Sequence, residues 1–120
     1  MYQYKCKINR IIDGDTVDVD IDLGFDTWIN NQRVRFIGID APEVRTKDLE
    51  EKAAGLAVKA FVSEMLPLES TQVLLSKEYN ADKGKYGRII GDFLVWDVKT
   101  DSQRKLTEIM LRENLVELYE

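Results

Sequence analysis

Histidine is absent from the 120-residue chain, and cysteine occurs once, at Cys6. The first absence removes every mechanism that needs an imidazole base, nucleophile or metal ligand. The second removes an internal disulfide, a structural zinc site and a dithiol redox pair, and it suits a reducing compartment. Proline occurs only twice, and no linker, low-complexity tract or internal repeat divides the sequence, so residues 1–120 are read as one domain. No apolar run approaches the roughly 20 residues of a membrane helix, and Met-Tyr-Gln-Tyr-Lys-Cys-Lys at the start lacks an apolar signal region. An intracellular, cytoplasmic protein with no membrane partner is expected.

Leu, Ile, Val and Phe together supply 36 residues, enough for a core and too many for a disordered chain. The charge is less accommodating. Against 22 acids stand 17 bases, a net −5, and both halves of the chain are acidic. Nucleic-acid affinity rests on Lys and Arg displacing condensed counterions, so any such function has to come from local clusters.

Val17, Val19, Ile21 and Leu23 alternate with Asp18, Asp20 and Asp22, the period of a half-buried strand with a solvated Asp face. Asp15 falls in phase with the apolar side, where a carboxylate needs a partner. Residues 24–32, Gly-Phe-Asp-Thr-Trp-Ile-Asn-Asn-Gln, break the alternation and predict a long hairpin connection with turn formers near its end, Phe25 and Trp28 packing back on the body of the fold rather than stacking on bases. A third strand is expected over 33–39, stopped by Pro42.

A helix is predicted over 48–66, opened by an Asp48/Glu51 capping box and closed by Pro67, with Leu49, Ala53, Leu56 and Ala60 as its core stripe. Strands follow at 71–79 and 88–96, joined by a polar, Gly-containing loop. A second helix runs from about 104 to 113 with Leu106, Ile109, Met110 and Leu111 buried, and Asn114 takes the left-handed position after it. These elements predict an α+β, mainly β domain: a five-stranded barrel of the oligonucleotide-binding (OB) type with two to three helices.

Three segments place charge where strands end. In Ile12-Asp-Gly-Asp-Thr-Val17, Gly14 allows a bend that lets both flanking carboxylates face a cation, although Asp-Gly is equally a plain turn signal. In residues 33–43 a strand delivers Arg35 and then presents Asp40 and Glu43 around a Pro-stiffened turn. Arg35 and Asp40 have opposite parity, so they share a face only if the strand bends or ends between them. The third segment, residues 82–88, carries Lys83, Lys85, Tyr86 and Arg88; by itself it reads as a solvated hairpin.

Taken in order and at these intervals, Asp-Gly-Asp-Thr-Val, Arg-x4-Asp-x-Pro-Glu and Asp-Lys-x-x-Tyr-Gly-Arg resemble the staphylococcal nuclease (thermonuclease-like) family over nearly the whole chain. The resemblance implies the same OB barrel and a Ca²⁺-dependent nuclease, with Mg²⁺ or Mn²⁺ less suited. It would act on DNA and RNA, single strands favoured, and leave 3′-phosphate and 5′-hydroxyl ends. Carried over by motif, Asp15, Asp40 and the Ala41 main-chain carbonyl would be metal ligands. Glu43 would activate or orient water, Arg35 and Arg88 would grip the scissile phosphate, and Lys85 and Tyr86 would contact a neighbouring one. The family often has Thr where Ala41 stands, a change that spares a carbonyl ligand, and the Lys-Gly pair lengthens its usual Asp-Lys-Tyr-Gly-Arg loop.

Elementary chemistry agrees with those roles. Attack on an anionic phosphodiester needs positive charge on its non-bridging oxygens and a nucleophile made from water. Oxygen ligands select Ca²⁺, Mg²⁺ or Mn²⁺ over zinc or copper, and so few of them imply a dissociation constant on the order of 10⁻⁴ to 10⁻³ M. The alternative is a catalytically silent OB module that binds nucleic acid or a protein partner. A pure binder has no need of three acids beside a phosphate, and Asp15, Arg35, Asp40, Glu43 and Arg88 are all present.

Overall fold

Alternating apolar residues build the first three strands of the computed structural model, which describes residues 2–76 and 88–119: β1 (Tyr2–Asp13), β2 (Thr16–Asp22) and β3 (Trp28–Phe36). Val17, Val19 and Ile21 point into the core at 0, 0 and 4% exposure. The outward acids are half-buried and partnered, not simply solvated as expected. The antiparallel register sets Lys5 opposite Asp22, Lys7 opposite Asp20 and Arg10 opposite Asp18. From β3, Arg33 forks onto Asp18 at 2.9 and 3.1 Å. The Asn31 N–H and the Asn9 amide both donate to Asp20, at 2.9 and 2.7 Å, and, with the main-chain bond the larger influence, hold its carboxyl below the usual range. Opposite charges across the ladder support the same register that buries the valines.

The connection expected over 24–32 is shorter, because β3 already starts at Trp28. The turn is Phe25-Asp26, both left-handed (φ 54° and 58°), closed by hydrogen bonds between Leu23 and Thr27 (2.8 Å) and between Thr27 and Gly24 (2.9 Å). Such turns match the twist of paired strands. The Asn pair does not end the strand, because left-handed Asn31 lies at a register shift opposite Val19 and Ile21. Phe25 is fully exposed and Trp28 is 44% exposed, so the expected packing of these aromatics against the barrel is not found.

β3 stops at Phe36 rather than 39; Gly38, at φ 72°, turns the chain into β4 (Ile39–Asp40). After α1 (Leu49–Met65) come β5 (Thr71–Ser76), β6 (Ile89–Asp97), β7 (Ser102–Lys105), α2 (Leu106–Arg112) and β8 (Glu117–Leu118). The sheet runs β3-β2-β1-β5-β6-β7, and a parallel pairing of β3 with β6 closes β1, β2, β3, β6 and β5 into the expected five-stranded OB-like barrel with two helices. Closure removes the barrel's open sheet edges. β4, β7 and β8 are additions, too short for a readable period. Residues 77–79 of the predicted fourth strand lie outside the described residues.

The core centres on Phe36 and Phe93, packed edge to face at 5.6 Å, with Ile8, Leu74, Leu106 and Met110 fully buried around them. Cys6 is buried among them as a free thiol, pushed up to about 12 by desolvation.

Asp48 caps α1, accepting from the Glu50 and Glu51 N–H groups at 3.0 and 3.3 Å. Glu51 does not complete a capping box; its carboxylate accepts from the Glu43 N–H and the Thr46 hydroxyl instead. The predicted core stripe is on the wrong side: Leu49 and Leu56 are 79% and 48% exposed, while Gly55, Val58, Val62 and Leu66 are buried. Both stripes have helical spacing. The buried one is chosen because Gly55 alone lets the helix backbone lie on the carbonyls of Pro42 and Glu43.

α2 begins at Leu106, two residues later than expected, because residues 102–105 pair with β6. Leu106, Ile109 and Met110 are buried as predicted, whereas Leu111 is only partly so. Lys105 gives no side-chain cap; Asp92 of β6, fully buried, accepts from the Thr107 N–H and hydroxyl and from the Phe93 N–H. Burial pushes the Asp92 carboxyl up. Asn114 is left-handed (φ 58°) after the helix, as expected.

Candidate active site

Asp15 lies in the tight turn between β1 and β2, 7% exposed. Its main-chain carbonyl accepts from the Phe36 N–H at 2.8 Å, which fixes the start of β2 to the end of β3. The carboxylate accepts from the Thr16 hydroxyl through Oδ1 and from the Ala41 N–H through Oδ2, both at 2.9 Å. Neighbouring Gly14 does more than bend the chain, since a Cβ there would collide with the Val58 side chain of α1. The inward carboxylate anticipated from its phase therefore has the partners it needs.

Arg35 organises the rest. Its Nη1 donates to the carbonyls of Ile39 (2.9 Å) and Phe36 (3.2 Å) and lies 3.3 Å from Asp15 Oδ2; its Nη2 is 3.2 Å from Asp40 Oδ1. The Arg35 side chain is 14% exposed and that of Asp40 60%. Opposite parity is overcome because the strand ends between the two residues and Gly38 turns β4 back along Arg35.

The parallel pairing sets Ile90 opposite Arg35, so Arg88 arrives beside the same end of β3. An open cleft of about 500 Å³ is lined by Asp13, Asp15, Arg35, Asp40, Glu43 and Arg88, and by Tyr119 as well. Glu43 is exposed; its N–H donates to Glu51 at 3.3 Å and its carbonyl rests on Gly55. The structure therefore brings Asp15, Arg35, Asp40, Ala41, Glu43 and Arg88 together, while Lys83, Lys85 and Tyr86 lie outside the described residues.

Asp13 was legible only as the other acid flanking Gly14. Tyr119 gave no signal, because nothing in its neighbourhood marks a lone tyrosine 84 positions after Arg35 as its neighbour in space.

Oxygen donors suit a hard cation. Among the described residues no three Asp, Glu, Cys or His side chains gather closely enough to hold a metal alone. What the cleft offers is two carboxylates linked through one guanidinium, within a lining of four acids and two arginines. That imbalance of charge, with few protein ligands, fits a divalent ion that keeps several waters.

The family described as staphylococcal nuclease homologue matches residues 33–120. Thermonuclease from Staphylococcus intermedius is 34% identical over 89 residues, 74% of this chain; the chain spans 46% of the length of that relative.

Proposed function

The chain belongs to the staphylococcal nuclease family, and on that premise we propose that its cleft hydrolyses phosphodiester bonds of DNA and RNA with Ca²⁺ as cofactor. Products would carry 3′-phosphate and 5′-hydroxyl ends. The observation that carries this reading is the single guanidinium of Arg35 bridging Asp15 and Asp40 in an open cleft that also holds Arg88 and Glu43.

Asp15 and Asp40 would hold the cation, with the Ala41 main-chain carbonyl beside them. When bound, the ion supplies positive charge to a non-bridging phosphate oxygen. Arg35 and Arg88 supply the rest. Two guanidinium forks in a partly desolvated cleft present donors to an oxyanion whose charge grows as water adds to phosphorus. Glu43 is the carboxylate at the rim, and with no imidazole in the chain it accepts the proton of the attacking water or holds that water in line. The P–O5′ bond breaks, and the leaving oxygen becomes the 5′-hydroxyl once protonated. Lys85 and Tyr86 are assigned to a neighbouring phosphate.

Purified protein with millimolar Ca²⁺ should degrade heat-denatured DNA, EDTA should stop it, and Arg35→Ala should lower turnover by about 10²-fold or more. Equal cleavage with and without EDTA would refute the metal assignment, and full activity in Arg35→Ala would refute the phosphate clamp.

A further inference from the structure

After α2 the chain returns to the mouth of the barrel. Asn114 reverses its direction, Val116 is buried, and Glu117 and Leu118 pair with Asp40 and Ile39. The Tyr119 N–H then donates to the Gly38 carbonyl at 2.9 Å. These bonds fix the backbone from which the Tyr119 ring lies against Arg35, with the guanidinium carbon 5.6 Å from the ring centroid.

Building on the nuclease reading, we propose that Tyr119 is a positioning residue for Arg35: its ring face holds the guanidinium plane toward the phosphate without consuming any N–H donor. The argument is a count of donors. Nη1 is committed to two carbonyls and Asp15, and Nη2 gives one N–H to Asp40. A guanidinium has five N–H groups, so Nε–H and the second N–H on Nη2 remain for phosphate oxygens. Another hydrogen-bonding partner would compete for them, whereas an aromatic face attracts the cation through its quadrupole.

Two of the four in-plane supports, the carboxylates, are shared with the assigned cation site. Asp15 and Asp40 are the carboxylates assigned to the cation, and a cation drawing on the same oxygens would weaken their hold on Arg35. The stack on Tyr119 does not depend on either carboxylate. Tyr119 is 63% exposed and lies outside the core, so replacing it leaves the core intact.

Tyr119→Phe and Tyr119→Leu separate the ring from the bulk. The Arg35 Nε–H resonance, assigned by its loss in Arg35→Lys, should be displaced by the ring current in wild type and Tyr119→Phe and return toward an ordinary shift in Tyr119→Leu. Turnover should fall about three- to tenfold in Tyr119→Leu with KM and thermal midpoint unchanged, and stay within about twofold of wild type in Tyr119→Phe. An Arg35 resonance unmoved by Tyr119→Leu would overturn the proposal, as would equal turnover losses in both variants. The resonance needs neither metal nor substrate: wild-type protein that cleaves nothing would sink the nuclease reading, while the Nε–H shift still decides whether the ring holds Arg35.

Discussion

Replacing Gly55 with alanine should damage the cleft while improving the helix that carries it. An added Cβ would stand 2.6 Å from the Glu43 carbonyl oxygen, 2.8 Å from the carbonyl carbon and 2.9 Å from the Pro42 carbonyl oxygen. Those atoms are backbone, so no side chain can rotate away. Ordinary contact at roughly 3.4 Å would require the helix and the 40–43 turn to separate by roughly 0.5–1 Å. Alanine gains about 1 kcal/mol of helix propensity, and overpacking costs about 1–3 kcal/mol, so the net loss of stability should be modest, about 0–2 kcal/mol. Activity should suffer more. The displaced turn carries Asp40 and Glu43, and a misplacement of about 1 Å costs around 10²-fold in rate. Urea denaturation and turnover on denatured DNA, measured on the same preparation, read the two effects. A Gly55→Ala protein that is about 1 kcal/mol more stable than wild type and cleaves normally would refute the reasoning.

Two further outcomes follow from the same structure. Asp92 has its carboxyl raised by burial, with the Thr107 hydroxyl, the Phe93 and Thr107 N–H groups and, more weakly, Lys105 opposing the shift. The folded state therefore holds its proton to higher pH than the unfolded chain does, and this residue's contribution to stability declines as pH rises through that window. Relative to Asp92→Asn, wild type should lose stability on going from pH 4 to pH 7 in urea melts; a difference that grows in wild type's favour would contradict the assignment. Phe25→Asn should raise stability by about 0.5–1 kcal/mol, because asparagine tolerates φ 54° and the phenyl ring is fully exposed. A loss in the urea midpoint would show that the ring has a partner.

The barrel was readable in the chain because period-2 alternation survives in β2 and breaks off at Gly24, although β3 ends at Phe36, well before the Pro42 expected to stop it. Asp15 was readable for the same reason: a carboxylate in phase with Val17 and Val19 had to be inward and partnered. Helix α1 was located by its Asp48 cap and Pro67 stop, but its buried face was not. Two stripes of similar spacing competed, and close approach at Gly55, a tertiary fact, selected the one that runs through Val58 and Val62. Leu49 and Leu56 had the larger side chains and still ended in solvent. The hairpin tip was misjudged because Asn30 and Asn31 look like turn formers, whereas a register shift absorbs them within the strand. At the site, motif spacing grouped Arg35 with Asp40, but the turn that makes them neighbours depends on Gly38 and on pairing with β8, far along the chain. Tyr119 reaches the cleft only through that pairing, so no local pattern announces it.

The most direct test is the chemistry of the ends produced from a defined single-stranded DNA. Incubation with Ca²⁺ should yield fragments with 5′-hydroxyl and 3′-phosphate termini, and EDTA should abolish them. Fragments bearing 5′-phosphates would contradict the bond assignment, and intact substrate with Ca²⁺, Mg²⁺ and Mn²⁺ alike would contradict the nuclease reading itself.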